Sequence, residues 1–390
     1  MARISVGKRA QQLLVAVALC LLVSSSNAHA AGAGHGCSKP FHPTIAFGDS
    51  TTDTGNQVLS AANETFAPAG HLPYGITFFK KPTGRYSDGR LMVDFLTSAL
   101  KEGFLEPNLA AASSGSSHKA GSLNFAVAGA TALDAKTLMR LANVTSLTAV
   151  SLDRQLTTFK TAMAGDDLSH SLVYFGEIGG NDFNYALAAH RPHKVLHSLF
   201  KPIAHQIHSS LESLLELGVK HIVVQGQFPM GCISLYLKTL HGTKTDKHGC
   251  IESVMRISDH HNHMLKDVVH HLAKKHKHAN ILFFDTTAAY LHILKHASQY
   301  NFTNVQDPCN NAALQMLLQP SPTTPPSSST HASITNTRAC PNPRNYVSWD
   351  GIHLTDAMYG TMMKLFLTDS KFSSPFPNFL TRCTKTSKAF

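Results

Sequence analysis

Thr44-Ile45-Ala46-Phe47-Gly48-Asp49-Ser50 is a short apolar run that ends in a turn. β-Branched and aromatic residues favour extended backbone, and Gly48 with Asp49 supplies turn chemistry directly afterwards. The run predicts a strand over 44–47 that presents the Ser50 hydroxyl at a sheet edge. A second run, Leu172–Phe175, leads into Gly179-Gly180-Asn181-Asp182. Residues 221–224 and 281–284 are further strand candidates, and 124–127 is a weaker one. Helical patterns separate them. Phe200, Ile203, Ile207, Leu211 and Leu214 recur at helical spacing, with Gly218 as a stop. Val254, Ile257, Leu265, Val268 and Leu272 repeat the pattern. Strand, helix, strand repetition predicts an α/β fold with a parallel sheet covered by helices on both faces. Ligand-binding residues in such sheets lie at the carboxyl ends of strands. Ser50 and Asn181 both fall there.

A serine hydroxyl is a weak nucleophile at neutral pH, so it needs a base, and the base needs an orienting group. Asp350-Gly351-Ile352-His353 offers both. A carboxylate three residues before an imidazole can meet its Nδ1 and leave Nε2 for Ser50. Asn181 follows two glycines and can donate an amide hydrogen to a developing oxyanion. Gly129, in Asn124-Phe125-Ala126-Val127-Ala128-Gly129-Ala130, can place a backbone N–H at the same oxygen. Each piece alone has an ordinary reading. Gly-Asp-Ser and Gly-Gly-Asn are common turns, Gly129 suits close packing, and Asp350 or Thr355 can cap a helix over 356–366.

Arg3, Lys8 and Arg9 precede an uncharged apolar run over 13–23, and Ala28-His29-Ala30 fits a small-x-small cleavage site. That run is too short to span a bilayer, so residues 1–30 read as a signal peptide and 31–390 as one mature domain. No later stretch is long and apolar enough to cross a membrane. The expected location is extracellular, in the apoplast or cell wall. Loss of three basic and no acidic residues takes the formal charge from +10 to +7. The cations are spread along the chain without aromatic interleaving, which argues against nucleic acid. Weak attraction to acidic wall polymers fits that charge.

Six cysteines remain after residue 30: Cys37, Cys232, Cys250, Cys309, Cys340 and Cys383. An even count in an oxidising compartment favours disulfides, and six cysteines allow fifteen connectivities. Proximity suggests Cys232 with Cys250 and Cys309 with Cys340, leaving Cys37 with Cys383. Asn63, Asn143 and Asn301 open Asn-x-Ser/Thr sequons, expected at the surface as glycosylation sites. Pro/Ser/Thr-rich residues 320–330 read as a loop insertion. Seventeen of the 25 histidines lie between His190 and His296. His260, His261, His263, His270 and His271 share one predicted helix. Imidazoles one turn apart can share a metal ion. With no acidic or cysteine partner nearby, a solvated helix face is the preferred reading and no metal site is assigned.

Taken together, the blocks resemble the GDSL-type esterase/lipase family of plants, within the SGNH hydrolases. Phe47-Gly48-Asp49-Ser50 with Thr52-Asp53-Thr54-Gly55-Asn56 resembles its nucleophile block, 124–130 its glycine block, 176–182 its asparagine block and 349–353 its histidine block. Pro73-Tyr74-Gly75, 84–90, Phe228-Pro229-Met230-Gly231-Cys232 and His248-Gly249-Cys250 are similar to stretches of plant members. The resemblance implies a flavodoxin-like three-layer α/β/α sandwich with a central parallel sheet of about five strands. It implies Ser50 as nucleophile, His353 as base and Asp350 as its orienting acid. The oxyanion donors would be Ser50, Gly129 and Asn181, with no metal or organic cofactor. Two departures stand out. Thr51 replaces the usual leucine, and the Pro/Ser/Thr segment replaces a cysteine-rich stretch before the histidine block.

Serine-dependent hydrolysis of a small-molecule or lipid ester is therefore the leading expectation. The same acyl-enzyme passing its acyl group to an alcohol, as an acyltransferase, is the nearest alternative. A non-catalytic lipid- or glycan-binding protein would have no reason to keep Ser50, Asp350 and His353. Glycosidase chemistry needs carboxylates paired across a sugar, and no such pair is legible.

Overall fold

The computed structural model describes residues 41–60, 67–113, 121–240, 242–311, 339–375 and 378–384. The expected signal peptide, Cys37, the Asn63 sequon and the insertion at 320–330 lie outside the described residues.

Among the described residues seven strands form one sheet: β1 (Thr44–Phe47), β2 (Glu106–Pro107), β3 (Leu123–Asn124), β4 (Leu172–Phe175), β5 (His221–Gln225), β6 (Asn280–Phe284) and β7 (Ser373–Ser374). Their order is β2-β3-β1-β4-β5-β6-β7. Every pairing is parallel except that of β6 with β7. The run β3-β1-β4-β5-β6 has the doubly wound order 2-1-3-4-5 of flavodoxin-like sheets. The sequence predicts about five strands, and the difference is two edge strands of two residues each, too short to carry a period. The weak candidate at 124–127 is also shorter than expected. There the Asn124 side chain accepts the Ala126 N–H at 2.9 Å and donates to the Thr52 carbonyl at 2.6 Å, while the Phe125 and Val127 N–H groups still reach the Ala46 and Gly48 carbonyls beyond the regular strand.

The register explains the layers. Ile45 pairs with Val173 and Phe47 with Phe175, so like faces align across strands. Ile45, Phe47, Val173, Phe175, Ile222 and Val224 point into one buried cluster, and Ala46, Leu172, Tyr174, Val223 and Leu282 into the other. The main helices are α1 (Met92–Leu100), α2 (Leu152–Ala162), α3 (Gly180–Ala188), α4 (His193–Glu216), α5 (Glu252–Lys275), α6 (Thr286–Lys295) and α7 (Asp356–Thr368). Helices α2, α4 and α5 supply apolar side chains to the first cluster, and α1, α6 and α7 to the second. This is a three-layer α/β/α sandwich.

Helix α4 buries the predicted stripe, and Gly218 stands just past its end at φ 96°. On α5 the buried position is Val269, with Val268 only partly covered; the helix is rotated slightly from the predicted face. Thr355 caps α7, its hydroxyl accepting the Met358 N–H at 3.2 Å. Disulfides join Cys232 to Cys250 and Cys309 to Cys340. Among the described residues no helix is long and apolar enough to cross a membrane.

Candidate active site

Three loops leave the carboxyl ends of β1, β3 and β4 side by side, because these strands are neighbours in the sheet. The β1 loop carries Ser50, the β3 loop Gly129, and the β4 loop Asn181. Residues 348–355, just before α7, bring in Asp350 and His353. His353 Nε2 lies 2.7 Å from Ser50 Oγ across 303 residues of sequence. His353 Nδ1 lies 2.7 Å from Asp350 Oδ2. Asp350 Oδ1 accepts the N–H groups of Ile352 and His353 at 3.0 and 2.8 Å, so the carboxylate also shapes the turn that presents the imidazole. Ser50, Asp350 and His353 are 9%, 3% and 7% exposed, so these hydrogen bonds operate away from bulk water.

The Ser50 turn is tightly held. Gly48 sits at φ 141°, and a Cβ there would come within 3.1 Å of the Glu177 carbonyl oxygen. Gln155 of α2 clasps both backbone groups of Gly48, accepting its N–H at 3.0 Å and donating to its carbonyl at 2.8 Å. Asp49 Oδ1 accepts the Thr51 N–H and hydroxyl, each at 3.0 Å. Leucine at 51 could not make the second bond.

The oxyanion candidates lie on the loops that follow β1, β3 and β4. Among the described residues the N–H groups of Ser50 and Gly129 have no protein acceptor. Gly129 lies at φ 81°, and Tyr185 of α3 donates its hydroxyl to the Gly129 carbonyl at 2.8 Å. Asp53 accepts the preceding Ala128 N–H at 2.8 Å. Asp182 accepts those of Ala132 and Leu133 at 2.8 and 3.0 Å, tying the β3 loop to the start of α3. Asn181 Nδ2 donates to the Ala130 carbonyl at 3.0 Å and stands 3.5 Å from Asp49 Oδ2. Both amide hydrogens are thus engaged, and an oxyanion would take the one held by the longer contact to Asp49.

Buried carboxyls set the local electrostatics. Burial opposes ionisation of Asp350, but the charge and hydrogen bonds of His353, with the Ile352 N–H, hold its carboxyl below the usual range. Asp350 is thus an anion able to support an imidazolium. Burial pushes Asp49 up to about 6, against the opposing pull of the Thr51 hydrogen bonds and the His353 charge. Burial also raises Asp182 to about 7, despite its backbone donors. Glu177 goes well above its ordinary value through burial and the neighbouring Asp49, while Gln227 hydrogen-bonds one of its oxygens.

All five residues predicted for the site, Ser50, Gly129, Asn181, Asp350 and His353, lie at this end of the sheet. Sequence reasoning missed Gln155, Tyr185, Tyr74 and the bracing roles of Asp53 and Asp182. Asp53, Asp182 and Tyr74 stood within stretches already noted, and Gln155 and Tyr185 did not. Asn143 and Asn301 are exposed, as a glycan acceptor must be. The histidine-rich region needs one correction. His261 does not lie on a solvated face: it is 3% exposed and hydrogen-bonds the Ile178 backbone just before Gly179. Its neighbour His260 packs against Phe200, ring centroids 4.3 Å apart. Among the described residues no three His, Cys, Asp or Glu side chains come together to hold a metal ion.

Residues 45–366 match the profile of the GDSL-like Lipase/Acylhydrolase family. A GDSL esterase/lipase of Arabidopsis thaliana is 33% identical over 376 residues, covering 93% of this chain and 94% of its own. The sinapine esterase of Brassica napus is 34% identical over 335 residues, covering 82% and 83%. A phospholipase A1 from Streptomyces albidoflavus NA297 is similar over 64% of this chain and 81% of its own, at 17% identity and a TM-score of 0.31, a likeness too distant to inform the fold.

Proposed function

The chain belongs to the GDSL-like lipase/acylhydrolase family and is a carboxylic ester hydrolase, and from that premise we propose that it works through an acyl-enzyme on Ser50. The observation that carries this reading is the unbroken relay from Asp350 through His353 to Ser50, two contacts of 2.7 Å each.

Ser50 Oγ attacks the ester carbonyl carbon while His353 Nε2 takes its proton. The carbonyl π electrons move onto oxygen, which meets the N–H groups of Ser50 and Gly129 and the Asn181 amide. Asp350 stays ionised and supports the imidazolium. The tetrahedral adduct collapses, the ester C–O bond breaks, and His353 protonates the departing alcohol. Water then attacks the acyl-serine with His353 again as base, releasing the carboxylic acid and restoring the Ser50 hydroxyl. No step calls for a metal or organic cofactor. The chain is read as secreted: the Cys232–Cys250 and Cys309–Cys340 disulfides, exposed sequons at Asn143 and Asn301 and the leader pattern at 1–30 point the same way.

Ser50→Ala tests the mechanism. The folded variant should lose turnover of a p-nitrophenyl ester to the level of the uncatalysed reaction plus residual oxyanion binding, a drop of about 10⁴-fold or more. Wild-type turnover in that variant would overturn the acyl-enzyme.

A further inference from the structure

Two stretches similar to plant members, Pro73-Tyr74-Gly75 and residues 84–90, take no part in the chemistry above, yet both face it. The Tyr74 hydroxyl donates to Asp350 Oδ2 at 2.8 Å, the same oxygen that meets His353 Nδ1. Oδ1 of that carboxylate already takes two backbone N–H groups. A carboxylate offers about four lone-pair sites. All are engaged, and Tyr74 fills one of them.

The phenol comes from a packed wall. Tyr74 is 2% exposed, and its ring stands edge-on to Trp349 at 5.7 Å and to Tyr86 at 5.9 Å between centroids. Tyr86 in turn lies against the His353 imidazole at 4.7 Å. The same segment grips the chain beyond His353. Asp88 accepts the Asp356 N–H at 2.7 Å, and the Arg90 guanidinium pairs with the Asp356 carboxylate at 3.0 Å. Burial and the adjacent Asp350 charge raise the Tyr74 phenol well above its ordinary value, so it stays a donor through the neutral range.

We propose that Tyr74 is a positioning residue of this active site, locking the Asp350 carboxylate and drawing part of its negative charge away from His353. The proposal rests on the Ser50, His353 and Asp350 reading. A neutral donor on Oδ2 weakens the support that this oxygen gives to a protonated imidazole. Without it, Oδ2 serves His353 alone, the imidazolium gains stability, and the neutral base is reached at higher pH. The carboxylate also loses one of the bonds that fix its plane. The groups facing Asp350 are His353, Tyr74, Tyr86 and Tyr359. Those facing His353 are Asp350, Asp49 and Tyr86. The three phenols are all raised and stay neutral. Asp49 is unchanged between wild type and variant, so a difference between their profiles reports Tyr74.

The test is the pH dependence of kcat and kcat/KM for p-nitrophenyl butyrate with wild type, Tyr74→Phe and a chain carrying 3,5-difluorotyrosine at 74. Tyr74→Phe should keep KM within about twofold, lower plateau kcat about tenfold, and move the acid limb upward by about half a pH unit. Difluorotyrosine keeps the size and strengthens the donor, so it should move the limb downward. Circular dichroism on each variant verifies the fold, and the fluorinated chain supplies the test should phenylalanine fail to fold. An acid limb unmoved in both, or moved the same way in both, overturns the proposal. Ser50→Ala run alongside keeps the two readings apart: if it retains turnover, the catalytic premise fails instead.

Discussion

Replacing His261 by glutamine should change how stability responds to acid, by an amount the structure sets. His261 lies on α5 beneath the Gly179 turn, where a Cβ on Gly179 would come within 3.0 Å of its Cε1. Burial favours the neutral ring and pushes its pKa down from 6.5 to about 4, against the hydrogen bond to Ile178. Above pH 6.5 both folded and unfolded chains hold this ring neutral, and pH has no effect through it. Between 6.5 and 4 the unfolded chain binds a proton that the folded chain refuses, so stability falls as pH falls. Each pH unit in that window costs about 1.36 kcal/mol. From pH 7.5 to 4.5 two such units are crossed, or about 2.7 kcal/mol. Glutamine keeps a side-chain N–H for the Ile178 carbonyl and does not titrate. Urea unfolding of wild type and His261→Gln at both pH values should therefore show their stability difference moving by about 2.7 kcal/mol in favour of the variant at pH 4.5. Groups common to both chains cancel in that comparison. Parallel pH curves would refute the reasoning.

Two other substitutions probe different parts of the molecule. Arg85 and Asp94 form a buried bidentate pair at 2.8 Å in both contacts, with side chains 6% and 0% exposed; Arg85→Leu leaves Asp94 buried without that partner and should cost about 3–5 kcal/mol, read by denaturant unfolding. Asn181→Ala removes the proposed side-chain oxyanion donor and should lower kcat about 10²–10³-fold with little change in KM, read by steady-state ester hydrolysis.

What the sequence disclosed depended on whether the signal was local. The strand Thr44–Phe47 and the strand Leu172–Phe175 are continuous apolar runs, and the structure keeps both boundaries. The helix over 200–214 was legible because its buried stripe has a period. The two-residue edge strands β2 and β7 exist through pairing partners alone, and no period fits in two residues. His261 was misread for a related reason. It sits among other histidines on a polar helix, and only the packing of α5 beneath the Gly179 turn sets it apart. At the site, Ser50, Asp350 and His353 carry residue types whose chemistry suggests itself. Gln155 and Tyr185 act through backbone contacts made 107 and 56 residues away, which a single sequence does not encode locally. Tyr74 lay in a stretch already set apart, but its bond to Asp350 spans 276 residues.

The central claim is that Ser50 is the nucleophile of an acyl-enzyme. Intact-mass and peptide-mapping analysis of the purified protein after reaction with a fluorophosphonate tests it most directly. The account predicts one phosphonyl adduct per chain, on the peptide bearing Ser50, with loss of esterase activity in step and no adduct in Ser50→Ala. An adduct on another residue, or full inactivation with Ser50 unmodified, would contradict it.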